Sequence, residues 1–255
     1  MLNRLILTIL TAAILTLAGA TTSVAGSGVV CGDGTGICIG SGDRNEYGHG
    51  REAGNGNKGG DCIADEVDDG SVTTYLTTEE INWLMFIREE EKLARDSYLV
   101  LGNLWGLVIF ENIAASEQKH MDAMKKLIEC YKLTDPVIDE IGSFSDSGLQ
   151  VLFDFLMAQG AQSTMDGLYV GATIEETDID SIQTAIEVTD QMHIVSTYES
   201  LMCGSRNHLR AFIRQIEING GSYTPKVLEG KEFWAIAYSE MEQDCGGNKR
   251  GKGKR

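Results

Sequence analysis

The sequence predicts an all-α protein arranged as a four-helix bundle, and three observations carry that prediction. Four segments repeat apolar residues at spacings of three and four, the pattern of a helix with one buried face. Between residues 77 and 223 nothing alternates with the period of a strand. The links joining the first segment to the second and the third to the fourth are short, whereas the central link is long. That is the connectivity of a bundle with a single crossover rather than a simple up-and-down arrangement.

The first helix opens at Thr77-Thr78-Glu79-Glu80, where a threonine side chain can take up a free backbone amide three residues on. Its stripe is Leu84, Ile87, Glu91, Ala94, Tyr98 and Leu101. The second helix is expected from about Val108 to Lys132, with Phe110, Ile113, Glu117, His120, Met121, Met124, Leu127, Ile128 and Tyr131 on its inner side. Thr134-Asp135-Pro136 ends it, and the long connection that follows carries a short extra helix near Leu149 to Ala158. The third long helix spans about Thr164 to Val188, with stripe Leu168, Ala172, Glu175, Ile179, Ile182 and Ile186. The fourth spans about Met192 to Asn219, with Tyr198, Leu201, Ser205, His208, Phe212 and Ile216 on one face, and Gly220-Gly221 stops it. These elements define a domain over residues 74–223, followed by a packing segment over 224–244 that contains Phe233, Trp234, Ile236 and Tyr238.

The chain has 255 residues, 42% of hydrophobic type and only 2 prolines, enough apolar material for one sizeable core. Its formal net charge of -17 argues against nucleic acid and anionic membrane surfaces as partners. The final residues, NKRGKGKR, reverse that sign, and 245–255 are expected to form a basic disordered tail. Residues 1–25 read as a secretory signal: Arg4, the apolar run LILTILTAAILTLAGA, and the small residues Ser23-Val24-Ala25 before Gly26. The expected location is therefore secreted or extracytoplasmic, with no stable membrane insertion after cleavage. Residues 26–73 form a Gly/Asp-rich flexible leader, whose Gly-x-Gly pieces lack the strand and helix of a dinucleotide loop. Of the 6 cysteines, Cys31, Cys38 and Cys62 lie in that leader, Cys130 and Cys203 in helices, and Cys245 in the tail. An even number in an exported chain favours disulfides, with the connectivity open, and no CxxC pair suggests a zinc site.

One stretch in the second helix, ASEQKHMDAM, turns this fold prediction towards chemistry. Glu117 and His120 share a stripe with Phe110, Ile113, Met121 and Met124, so a carboxylate and an imidazole face the core. A buried, unpaired carboxylate costs several kcal/mol, roughly, unless something compensates it. The other stripes also carry an ionisable residue near their middles: Glu91 on the first helix, Glu175 on the third and His208 on the fourth. In an antiparallel bundle these positions lie at similar heights, so five metal-competent side chains can converge on one pocket. Carboxylates with imidazoles suit iron, manganese or zinc, and two carboxylates can bridge a pair of ions.

The segments EEKLARDSY, ENIAASEQKHMDAMKKLIECY, VGATIEETDI and GSRNHLRAF together resemble the DUF2202 family, a ferritin-like group, over about Thr77 to Tyr223. The spacing of Glu91 and Tyr98 also resembles the first helix of rubrerythrin-type proteins, where a glutamate ligand precedes a tyrosine by two turns. The resemblance implies a ferritin-like bundle with Glu91, the Glu117–His120 pair, Glu175 and His208 as metal ligands. This chain departs from a full di-iron carboxylate pattern at Ser205, where that pattern has a glutamate one turn before the histidine. Asp178, or Glu176 on a slightly rotated helix, is the expected substitute. A single-metal site or an unequal pair fits this inventory as well as a full pair does.

A plainer account stands beside the metal. Arg95, Asp96, Arg206 and Arg210 lie on the same helices, so the glutamates can pair with arginines and His208 can be a satisfied core histidine. Arg206 is then a residue that orients ligands or ties helices together, and Tyr98 a hydrogen-bond donor to a ligand. Ser205 and His208 lack a nucleophile turn and an oxyanion hole, which argues against a hydrolase. Two functions follow. One is an exported iron-binding protein, with one or two ions, that oxidises Fe(II) with dioxygen or peroxide; the other is a non-enzymatic extracellular scaffold with a structural metal or none. A homodimer is compatible with either.

Overall fold

The computed structural model describes residues 76–243 and residue 245. The expected signal segment, the Gly/Asp-rich leader with Cys31, Cys38 and Cys62, and the basic run NKRGKGKR lie outside the described residues. Within them the chain is all-helical: α1 Thr78–Trp105, α2 Val108–Cys130, α3 Ser147–Gly160, α4 Thr164–Glu187, α5 Met192–Ile218 and α6 Gly230–Ala237. The helices expected from about Val108, Thr164 and Met192 begin at those residues, and the short extra helix lies in the central connection as α3.

Thr77 caps α1 reciprocally: its Oγ1 accepts from the Glu80 amide at 3.1 Å, while its own amide donates to Glu80 Oε2 at 2.7 Å. The other Glu80 oxygen accepts from Thr189 Oγ1 at 2.6 Å, which ties the start of α1 to the end of α4. At the far end of α1, Gly106 adopts φ 66° and its amide bonds Gly102 O at 2.8 Å, so the chain reverses at once into α2. α1 packs on α2, α4 on α5, α1 on α4, and α2 on α5, while α3 lies against α1 and α4. The centre is apolar, with Tyr98, Phe110 and Phe212 in mutual ring contact at 5.3–6.1 Å. Among the described residues no helix is long and apolar enough to cross a membrane.

The second face of α1 is buried as well, although it is charged. Lys92 is sealed from solvent and pairs with Asp96 at 2.5 Å; its Nζ also donates to the carbonyls of Glu140 and Ser143 at 2.9 and 3.1 Å. Asp96 accepts from the Gly142 amide at 2.9 Å, and Glu89 accepts from the amides of Ser145 and Asp146 at 2.6 and 3.0 Å. These bonds fasten the connection between α2 and α3 onto α1. The segment after α5 is fastened by Glu176 and by a Cys203–Cys245 disulfide with Cα atoms 5.3 Å apart. In α6, Phe233 and Ile236 are buried, whereas Trp234 and nearby Tyr238 are exposed.

Candidate metal centre

The five expected ligands meet in the interior. Two groups of three ligand atoms form, Glu91–Glu117–His120 and Glu117–Glu175–His208, each with all atoms within 4.8 Å of one another. Glu117 belongs to both groups: its Oε2 lies 2.7 Å from His120 Nδ1 and its Oε1 lies 2.7 Å from His208 Nδ1. Glu91 Oε2 lies 3.1 Å from His120 Nδ1, and Glu175 Oε2 lies 3.4 Å from His208 Nδ1. The two imidazoles run nearly parallel with centroids 5.6 Å apart. Helix spacing produces this arrangement, because Glu117 and His120 are one turn apart on α2 and present both groups to the same side.

The carboxylates are sealed and the histidines form the outer edge. Glu91, Glu117 and Glu175 are at most 1% exposed, whereas the side chains of His120 and His208 retain 12% and 11%. His208 turns Nδ1 inward and places Nε2 3.0 Å from Ser116 Oγ. Beside His120 the chain carries Gly204, where a Cβ would stand 2.5 Å from His120 Nε2. Glycine therefore makes room for the ring. Ser116 and Gly204 were not anticipated from sequence; each directly precedes a site residue, but neither type signals a ligand environment.

Hydrogen bonding leaves several of these atoms bare. Glu91 Oε1, both Glu117 oxygens, His208 Nδ1 and Asp178 Oδ1 are buried without a hydrogen-bond partner. Glu117 Oε1 and His208 Nδ1 are close, yet they lack the geometry of a donor–acceptor pair. Buried acids elsewhere differ. Glu80, Glu89, Asp96 and Glu176 each have both oxygens bonded. Glu90, on α1 beside the cluster, receives Ser181 Oγ at 3.0 Å on Oε1 and leaves Oε2 bare, but it borders a cavity of about 10 Å³, room for a single water.

Electrostatics reflect the same crowding. Burial raises Glu91 to about 8, against the opposing pull of His120. Burial also raises Glu175 and lifts Asp178 well above the usual carboxylate range, with the charges of Glu91, Glu117 and Glu175 adding to the effect on Asp178. Burial opposes the charge on Glu117 too, but His208 and His120 on either side outweigh it and hold this acid below its ordinary value. Burial disfavours charge on His208, yet Glu117 and Glu175 lift it to about 10. His120 is raised likewise by Glu117 and Glu91. Burial thus biases Glu91, Glu175 and Asp178 towards their protonated forms, while Glu117 stays charged between the two imidazoles.

The auxiliary residues divide. Tyr98 donates to Glu175 Oε1 at 2.5 Å, and Ser205 Oγ bonds Asp178 Oδ2. Glu176 points away from the cluster and accepts the amides of Lys226, Val227 and Leu228 at 3.0 Å each, so it is a clamp on the C-terminal segment. Arg206 also lies off the cluster, in a two-pronged bond to Glu242 at 2.7 and 2.5 Å. Arg210 bonds Glu242 and Ser239, and Arg95 bonds Asp96 and Gln118. None of these three arginines supplies the counter-charge that the plainer account requires.

Residues 80–240 match the family described as an uncharacterized protein domain, DUF2202. The chain belongs to the DUF2202 family. Every site residue named above, from Glu91 to His208, lies inside the DUF2202 match. The chain is also similar to the uncharacterized protein MJ0754 of Methanocaldococcus jannaschii, with 48% identity over 169 residues that cover 66% of this chain and 91% of that protein. It resembles the crystal structure of the hypothetical protein MJ0754 from Methanococcus jannaschii with a TM-score of 0.65 at 47% identity, covering 66% of this chain and 97% of that one.

Proposed function

We propose that this chain is a ferritin-like metal-binding protein that holds a pair of iron ions between α1, α2, α4 and α5. Glu91, Glu117 and His120 would hold one ion and Glu117, Glu175 and His208 the other, Glu117 being common to both sets. One observation carries the reading: five of the eight bare buried polar atoms among the described residues belong to this cluster and the adjoining Asp178, the others being on Glu90, Ser97 and Tyr198, and both ligand triads share Glu117. Such atoms are costly in an apolar interior and are stabilised by a cation at their centre. Carboxylate with imidazole is also the donor set that iron, manganese and zinc accept.

Bound iron would supply one-electron exchange with dioxygen or peroxide. The chain's own residues supply the rest. Glu117 sets the spacing of the two positions, and Tyr98 and Ser116 orient Glu175 and His208 through the bonds given above. The apolar shell of Phe110, Phe212 and Met121 keeps bulk water from the carboxylates. The His120–His208 edge is the side from which small solutes reach the site. With the signal-like start of the sequence, the reading is of an exported protein that oxidises or scavenges Fe(II) outside the cytosol. A scaffold with a closed polar network would pair its core acids as Glu89 and Glu176 are paired.

Elemental mass spectrometry after anaerobic Fe(II) loading and desalting tests this directly, with Glu117→Ala and His120→Ala in parallel and Mn(II) and Zn(II) as competitors. About one to two irons per chain in the wild type, according to how much of a weaker ion survives desalting, and a loss in both variants are expected for a shared ligand and its partner. Iron-dependent oxygen uptake would then establish turnover. A wild type that retains no metal, or a Glu117→Ala protein with unchanged content, overturns the assignment.

A further inference from the structure

We infer that Asp178 is an additional ligand on the Glu91 side of the site, supplied by α4 and aimed by Ser205, so that the two metal positions are unequal. The inference rests on the reading of the cluster as a metal site. It begins from helix register. Glu175 faces His208, and one turn further along α4 Asp178 faces Ser205, one turn earlier on α5. The two helices run antiparallel, so these pairs step in the same direction. Across the core, α1 meets α4 at Tyr98–Glu175 and again at Glu90–Ser181, at 2.5 and 3.0 Å. Asp178 lies between those contacts on α4, as Glu91 lies between them on α1. Asp178 thus lies one turn from Glu175 in the direction of Glu91, which sits beside the Glu90–Ser181 contact.

Its carboxylate is held in a way that leaves one oxygen for a ligand. Oδ2 is bonded by Ser205 Oγ, whose own position is fixed by the Leu201 carbonyl at 3.1 Å. Oδ1 is buried and bare, and the residue is 3% exposed. A glutamate at position 205 would bring the carboxylate from α5. Here a serine on α5 steadies a shorter carboxylate from α4, and the chain keeps the charge while moving its origin.

The consequence is asymmetry. With Asp178, whose oxygens lie outside the two compact triads, the Glu91 side gains a third carboxylate beside His120, four side chains against three. The other side offers Glu117, Glu175 and His208, which leaves a coordination position free. The side with more protein ligands retains its ion better, and the side with fewer leaves more room for an exogenous ligand. The His208 side is therefore where an exchangeable substrate ion or small oxidant binds, and the Glu91 side holds the resident ion.

Anaerobic Fe(II) titration of the full chain against a competing chelator tests this in wild type, Asp178→Asn, Asp178→Glu and Ser205→Ala, with thermal melts as folding controls. The expected wild-type result is one tight and one weak ion. Asp178→Asn should weaken the tight class by about tenfold or more and leave the weak one in place, and Ser205→Ala should weaken it by a smaller factor. Asp178→Glu should keep tight binding. Two ions in the wild type with the same tight affinity in Asp178→Asn overturn this inference and leave the proposed function standing. A wild type that binds no iron overturns both. Should Asp178→Asn not fold, an unchanged tight class in Ser205→Ala overturns the assignment.

Discussion

The Tyr98 hydroxyl donates to Glu175 Oε1 at 2.5 Å, and the other oxygen of the same carboxylate lies 3.4 Å from His208 Nδ1. The phenol is sealed, stacked among Phe110 and Phe212, and burial together with the nearby Glu175 and Glu117 charges pushes its ionisation well above the usual range. It remains a donor at any ordinary pH. Tyr98 therefore decides which Glu175 oxygen is left to face His208.

Tyr98→Phe keeps the ring and removes that donor. Losing such an outer bond typically lowers metal affinity by roughly 10–100-fold. Leaving Glu175 Oε1 unsatisfied costs about 1–3 kcal/mol in the metal-free protein. Metal titration and chemical denaturation of the variant check both figures. Unchanged affinity in a folded Tyr98→Phe protein would show that Tyr98 serves packing alone.

Metal removal has a predicted thermal consequence. An ion bound only by the folded state, at a concentration of about 100 times its dissociation constant, stabilises by roughly 2.7 kcal/mol. In a domain of about 150–250 residues each kcal/mol moves Tm by roughly 2–4 °C, so chelation should lower Tm by about 5–10 °C. Scanning calorimetry before and after dialysis against a chelator measures this, and re-addition of Fe(II) should restore the original melt. Identical melts in both states would contradict a metal held by these buried ligands.

Gly204→Ala probes the histidine edge. The added methyl would stand 2.5 Å from His120 Nε2 and 2.7 Å from its Cε1, so the imidazole must move. His120 Nδ1 lies 2.7 Å from Glu117 and 3.1 Å from Glu91, and a displaced ring loses that convergence. Alanine itself favours a helix over glycine by about 1 kcal/mol, so α5 should remain intact. The expected result is unchanged far-ultraviolet circular dichroism with iron affinity reduced about tenfold or more. Equal affinity would remove His120 from the ligand set.

Much of this molecule was legible in its residues, and what was hidden has identifiable causes. The long helices announce themselves because each buries one stripe, and the five candidate ligands stand in those stripes as polar interruptions. The second face of α1 could not be read the same way. Arg88, Glu89, Lys92 and Asp96 look like a solvated surface in sequence, yet all are buried, because the 131–146 connection folds over them: its backbone groups bond Glu89, Lys92 and Asp96, and its Asp135 side chain pairs with Arg88. Polar type alone does not reveal that a loop will cover it. Glu176 illustrates a related limit: adjacent to Glu175, it faces a different side of α4, and its three amide partners lie about fifty residues downstream. Asp178 was a candidate by spacing, but its serine partner became visible only when α4 and α5 were placed side by side.

The C-terminal segment supplies a prediction in pH. Glu242 receives both arms of Arg206, a further bond from Arg210 at 2.9 Å, and a reciprocal pair of bonds with the Asn207 side chain at 2.8 and 3.0 Å. The Arg206 hydrogen bonds, against a modest opposing effect of burial, hold its carboxyl down at about 2, with Arg210 assisting. A depressed acid contributes stability that is complete above its unfolded value of 4.5 and is lost as pH falls from there through about 2. The segment around residues 238–243 should therefore loosen across that window, while the Cys203–Cys245 disulfide keeps it tethered to α5. Because 31% of the Glu242 side chain is exposed, added salt should weaken the contact as well. Local hydrogen exchange of this segment between pH 5 and pH 2, compared with Glu242→Gln, reads the effect. The wild type should show a rise in exchange beyond the intrinsic pH dependence, and the glutamine variant should show elevated exchange without that transition. Parallel profiles for the two proteins would mean that Glu242 does not hold the segment in place.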